Sequence, residues 1–73
     1  MHYYRYAYQM EDESFQTCDQ AFASDTEARA NIFTWYINRQ KIIELWLYRF
    51  TSMDTAGTMR LIDHLERPAT INF

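Results

Sequence analysis

The nine residues Ile42-Ile43-Glu44-Leu45-Trp46-Leu47-Tyr48-Arg49-Phe50 decide the fold of this chain. Read with period two, Ile43, Leu45 and Leu47 share one face. Ile42, Trp46, Tyr48 and Phe50 share the other with Glu44. β-Branched and aromatic side chains suit a pleated surface, and a strand apolar on both faces belongs in the centre of a sheet. Read with helical spacing, Ile32, Trp35, Arg39, Ile43, Trp46 and Phe50 recur at alternating three and four, close to a heptad seam. Helix-spaced Phe15, Cys18, Ala21 and Phe22 and the scarcity of glycine lean the same way. The all-α alternative therefore has one long central helix running through Asn38. The density of β-branched and aromatic residues after Lys41 favours the strand.

Upstream of this stretch, Ser24-Asp25-Thr26-Glu27 has the form of a capping box. The Ser24 hydroxyl accepts from the Glu27 amide, and the Glu27 carboxylate reaches back to the Ser24 amide. The helix it opens carries Ala28, Ile32, Trp35 and Tyr36 on one face and meets a polar stop over Asn38 to Lys41. Earlier still, Tyr4, Tyr6, Tyr8 and Met10 alternate with Tyr3, Arg5, Ala7 and Gln9, which predicts a strand from His2 to Met10. Glu11-Asp12-Glu13-Ser14 reads as a hairpin turn without an Asn-Gly or Asp-Gly signature, and Phe15 to Phe22 as a weaker second strand. Downstream, Met59, Ile62 and Leu65 at three-residue spacing predict a second helix, capped by Asp54, ending at Arg67 and stopped by Pro68 before an extended tail, Ala69 to Phe73. The expected architecture is α+β over a single domain, residues 1–73. It has a three-stranded antiparallel sheet in the order 2-1-3, a helix packed on one face and a C-terminal helix, in the sequence ββαβα.

Seventy-three residues make one core; a chain of this size buries only about 60% of the surface it exposes when unfolded. Cys18 is the only cysteine, so no internal disulfide supplements that core, and His2 and His64 are the only histidines. Oligomerisation is the favoured supplement, and a homodimer one expectation. An unpaired thiol fits a reducing compartment. With no signal peptide and no apolar run long enough to span a bilayer, the expected location is the cytoplasm, that of the host cell if the chain is phage-encoded. Net charge is −3 but uneven. From Tyr6 to Ala28 there are six acids and no base; from Arg29 onward six bases face four acids.

Catalysis finds little to work with. Cysteine–histidine chemistry needs Cys18 beside His2 or His64 with an orienting acid; Cys18 reads more simply as a small buried hydrophobe. His64 reads as a surface residue near a helix C-terminus, with its neighbour Asp63 pointing elsewhere. One glycine builds no phosphate loop, and no zinc or calcium motif is present. The expectation is a protein that is not an enzyme and takes no cofactor, metal or small-molecule substrate.

Aromatics reach 18% of the chain, and Trp, Tyr and Arg are what interface hot spots are made of. Partner binding is therefore assigned to Trp46, Tyr48 and Phe50 with Tyr4 and Tyr6, and electrostatic steering to Glu11, Asp12, Glu13 and Asp19. Tyr3-Tyr4-Arg5-Tyr6 and Tyr48-Arg49-Phe50 also offer rings for stacking unpaired bases, with Tyr4, Arg5, Tyr6 and Arg49 as the contacts of a single-stranded nucleic-acid binder. Net acidity opposes that alternative. No membrane is expected among the partners.

The Tyr-rich opening, the short polar turn, Ala21-Phe22-Ala23-Ser24-Asp25-Thr26-Glu27-Ala28 leading into a helix, and Lys41-Ile42-Ile43-Glu44-Leu45 opening a strand resemble small phage and mobile-element proteins. Anti-CRISPR and other host-takeover inhibitors are of this build. The resemblance covers residues 2 to 50 and contains no family-specific motif. It implies a stoichiometric inhibitor docking on a bacterial defence or nucleic-acid-handling complex, as a monomer or a dimer, and carries no site residues with it.

Overall fold

A computed structural model describes residues 1–51 and 59–67. Four strands and one helix follow in the order β1 (His2–Met10), β2 (Phe15–Phe22), α1 (Asp25–Ile37), β3 (Ile42–Phe50) and β4 (Arg60–Glu66). The sheet is antiparallel throughout, in the order β2-β1-β3-β4.

This corrects the expected three-stranded sheet with two helices, and the all-α alternative with it. Residues 60–66 are a strand, and α1 ends at Ile37 instead of running into Ile42. The Asp54 cap, Pro68 and the tail lie outside the described residues. The apolar spacing of Ile62 and Leu65 misled because β4 slips register opposite Leu47/Tyr48. An extra residue in a bulge lets side chains three apart both turn inward, and both pack on the core. Without β4, the outer edge of β3 would leave a row of unpaired backbone groups beside the most apolar segment of the chain.

The β1–β2 hairpin closes without glycine. Met10 N–H donates to Ser14 O (2.8 Å) and Glu13 N–H to Met10 O (2.9 Å). The Asp12 carboxylate accepts from the Ser14 amide and hydroxyl, so a local side-chain turn takes the place of an Asn-Gly pair. Glu13 sits at φ 72°, the left-handed position of a three-residue hairpin loop.

Ser24 caps α1, accepting from Glu27 N–H at 3.1 Å. The Glu27 carboxylate reaches one residue further than the capping box predicts, to the Ala23 amide at 2.7 Å. Ala28, Ile32 and Tyr36 are the buried residues of α1, and Trp35 is half-buried beside them. They lie over Tyr4, Tyr6, Tyr8, Leu45 and Leu47 to form the core. Trp35 meets Tyr6 and Tyr8 edge to face, with centroids 5.2 and 5.0 Å away. A second bulge, opposite Gln9/Met10, breaks the alternation of β3 at its start. Ile42, expected with Trp46, is buried, and Ile43, expected with Leu45 and Leu47, is exposed.

Polar clamps fix both ends of α1. At its N-terminus, Asp25 accepts from the buried Tyr4 hydroxyl at 2.5 Å and from Arg49 at 2.8 and 3.0 Å. The Tyr4 bond, then the Arg49 charge, hold the Asp25 carboxyl below its ordinary range; burial, then the hydrogen bond to Asp25, pushes Tyr4 up to about 12. At the C-terminus, where the last turn has no base of its own, Arg67 donates to the carbonyls of Ile42 (2.8 Å), Arg39 (3.1 Å) and Tyr36. Its guanidinium also lies over the Tyr36 ring at 4.4 Å. Tyr36 O and Arg39 O also accept backbone N–H bonds from Arg39 and Ile42, so Arg67 adds a second, charged donor to the turn after α1 and ties it to the end of β4.

Two outcomes follow for stability. Arg67→Met keeps the apolar stem but removes these charge-assisted bonds, and urea unfolding should register a loss of about 2 kcal/mol. Burial likewise pushes Tyr6 up to about 12, so folded Tyr4 and Tyr6 keep protons that an unfolded tyrosine releases near pH 10. Their contribution is whole below about pH 10 and disappears as pH climbs toward 12. Unfolding midpoints should fall steeply across that window, and Tyr4→Phe should flatten part of the fall.

Candidate functional site

Among the described residues, a single helix covers one face of the sheet and no element covers the other. Cross-strand partners share a face, so the register assigns the open one. It comprises Tyr3, Arg5, Ala7 and Gln9 of β1, Phe15, Thr17, Asp19 and Ala21 of β2, Glu44, Trp46, Tyr48 and Phe50 of β3, and Leu61, His64 and Glu66 of β4.

Its rings form two groups. At one end Trp46 stacks on the His64 imidazole (5.4 Å, interplanar 10°) and meets Phe15 at 6.2 Å. Ala7 is what permits the second contact: a methyl group on β1 leaves space for rings from β2 and β3 to meet across it. At the other end Tyr3 lies against Phe50 at 6.3 Å, and the Arg5 guanidinium sits 5.2 Å above the Phe50 ring. Tyr48, paired with Arg5 and Leu61, joins the two groups. Tyr3, Phe15 and Leu61 are more than half exposed, at 59, 63 and 52%, so a large apolar surface faces outward.

The charges of this face are mostly engaged within it. Arg5 holds Asp19 through two bonds of 2.7 and 2.9 Å, which keeps the Asp19 carboxyl below its ordinary range. Glu44 contacts His64 Nε2 at 2.6 Å. One arginine stands against three carboxylates, and two of those, Glu44 and Glu66, are directly opposed where the strands meet the Glu11–Ser14 turn. Exposed Glu11, Asp12 and Glu13 extend the acidic end.

Trp46, Tyr48 and Phe50 lie on the open face as the alternation predicts. Tyr4 and Tyr6 do not: at 0 and 7% exposure they belong to the core beneath α1. Alternation divided β1 into two tyrosine stripes, and α1 chose between them. Asp19 is on the face, but its charge is matched by Arg5 and contributes little to steering. Phe15, His64, Leu61 and Glu66 were missed, Phe15 because β2 is otherwise polar and the others because β4 read as a helix.

Cys18 is exposed, not buried. It pairs with Tyr6 on the helix side of edge strand β2, and α1 does not reach far enough to cover it. His64 occupies the opposite edge strand and the opposite face; two intervening strands put roughly 14 Å between them. His2 pairs with Phe22, four residues along β2 from Cys18, about 13 Å at strand rise. The geometry therefore does not assemble a cysteine–histidine pair. A groove of about 460 Å³ between α1 and β2 is lined by Tyr6, Gln20, Phe22, Asn31, Ile32 and Trp35 and by no charged side chain.

No helix among the described residues is long and apolar enough to cross a membrane. No protein-family model, curated protein or solved structure matches the chain.

The face assignment has a direct thermodynamic expression. Leu47→Ala opens a cavity in the core and should cost about 2–5 kcal/mol. Trp46→Ala removes a larger but half-exposed side chain and should cost less, with far-UV circular dichroism unchanged. A larger loss at Trp46 would mean that its face is covered.

Proposed function

We propose that this domain acts by binding another protein through the open sheet face, without catalysis. The outward-facing aromatic surface of Tyr3, Phe15, Trp46, Tyr48 and Phe50, set in a rigid antiparallel scaffold, is the observation that carries this reading. Rings already packed on one another lose little rotamer freedom on docking, which lowers the cost of association.

Size limits the mode of binding. Strands of seven to nine residues in a four-stranded sheet give a face of roughly 550 Å² in projection, and a stable interface buries about 800 Å² of accessible surface on each partner. A partner that fills the face and reaches past the sheet gains further area. The acidic turn Glu11–Glu13 is the adjoining surface of distinct chemistry, and it calls for a basic counterpart.

The same charges argue against single-stranded nucleic acid. A base-stacking sheet needs cations tracking the phosphates; here Arg5 is held by Asp19 and Arg49 by Asp25, and the remaining open-face carboxylates repel phosphate. Likeness to small phage and mobile-element inhibitors supplies the finer proposal. The partner would be a bacterial defence or nucleic-acid-handling complex, whose basic grooves attract an acidic rim, and the setting a reducing cytoplasm.

Affinity capture with the intact chain, repeated with variants, tests the reading. Trp46→Ala with Phe50→Ala should abolish recovery of the captured protein. Neutralising Glu11, Asp12 and Glu13 together should slow its association and weaken the salt dependence. Titration with a mixed-sequence oligonucleotide at about 50 mM salt, where phosphate contacts are strong, should show no binding. Saturable oligonucleotide binding lost on Trp46→Ala would replace the protein partner with nucleic acid.

A further inference from the structure

Among the described residues, Glu44, His64 and Glu66 bring one nitrogen and two carboxylate donors within 4.8 Å of one another. We infer that these three side chains form a binding site for a divalent transition metal of the zinc class at the β3–β4 rim of the open face.

The geometry follows from the register. Glu44 and Glu66 are direct cross-strand partners, and His64 lies two residues before Glu66, hence on the same face. Like charges directly opposed on neighbouring strands destabilise a sheet unless a cation lies between them. His64 partly meets that need through its 2.6 Å contact with Glu44. Glu66 has no hydrogen bond or ion pair of its own at the rim among the described side chains. A divalent ion would neutralise both carboxylates at once.

Distances agree with this. Ligand atoms around a tetrahedral zinc ion, at bonds of about 2.0–2.1 Å, lie roughly 3.4 Å apart. The Glu44–His64 contact has to widen by less than an ångström and the longest separation to shorten by about one and a half. Changes of this size lie within reach of side-chain torsions, above all those of Glu66, which is exposed where Glu44 is half-buried. The stack on Trp46 holds the imidazole plane, the orienting role that a neighbouring group commonly plays for a metal-bound histidine. An imidazole in the set selects zinc-like ions over magnesium and calcium, which prefer all-oxygen shells. Three protein ligands leave a fourth position, which faces outward on the sheet. The site stands whether or not the face has a protein partner.

Isothermal titration of Zn²⁺ into the intact chain, in a non-chelating buffer at neutral pH, tests it. One ion should bind per chain and survive millimolar Mg²⁺, and His64→Gln and Glu66→Gln should each weaken it about tenfold or more. Joint neutralisation of Glu11, Asp12 and Glu13 should leave it nearly unchanged. Co²⁺ should quench the emission of Trp46, measured in a Trp35→Phe background, and lose that effect in Glu66→Gln. If His64→Gln fails to fold by circular dichroism, exposed Glu66 carries the test alone. Absent binding, binding indifferent to Glu66→Gln, displacement by Mg²⁺, or loss on neutralising the turn would each overturn the assignment.

Discussion

Among the described residues, one helix has to serve a sheet with two faces. Thirteen residues of α1 make a rod about 20 Å long and 10 Å wide, enough to shade roughly 200 Å² of a face more than twice that size. Everything else in the molecule adjusts to this shortage. The buried side chains gather under α1 as Tyr4, Tyr6, Tyr8, Leu45 and Leu47, and β2, at the margin of the helix, stays exposed along most of its length. Its helix-side residues Gln16, Cys18 and Gln20 are polar or small, as a strand in water on both faces requires.

Because so few residues hold α1 down, its ends matter more than its length. Asp25 ties the first turn to β1 through Tyr4 and to β3 through Arg49. Arg67 ties the last turn to the end of β4. Each clamp joins elements distant in sequence and leaves no buried side-chain polar atom unsatisfied among the described residues. Charge-assisted bonds of this kind are about twice as strong as neutral ones, which suits a core too small to secure the helix by apolar burial alone.

The open face answers the same shortage differently. Its rings pack on one another across strands, Phe15 stacked with Trp46 and Tyr3 tilted against Phe50, so each covers part of its neighbour's apolar surface from water. Arg5–Asp19 and Glu44–His64 supply polar matter between them. The result is a preformed surface that no described residue covers, with carboxylates collected at one rim. The proposed docking surface and the proposed metal site meet where Trp46 stacks on His64.

Several elements are legible in local chemistry alone. The tyrosine alternation of β1, the Ser24 cap and the polar stop after Ile37 are contained in short stretches, because alternation, capping and helix termination are decided by neighbours a few residues apart. The two-sided apolar pattern of Ile42 to Phe50 likewise implied a central strand, with Trp46, Tyr48 and Phe50 as one of its stripes, though the expected order 2-1-3 left it at the edge that β4 occupies. Which tyrosine stripe of β1 turned inward, the inversion of Ile42 and Ile43, the strand at Arg60–Glu66 and the meeting of Glu44, His64 and Glu66 depended on pairing between segments distant along the chain. A bulge shifts the phase of a strand by one residue, and with it every side chain beyond. Only the partner strand dictates where that shift falls, so the face, the rim and the function they support belong to the tertiary structure.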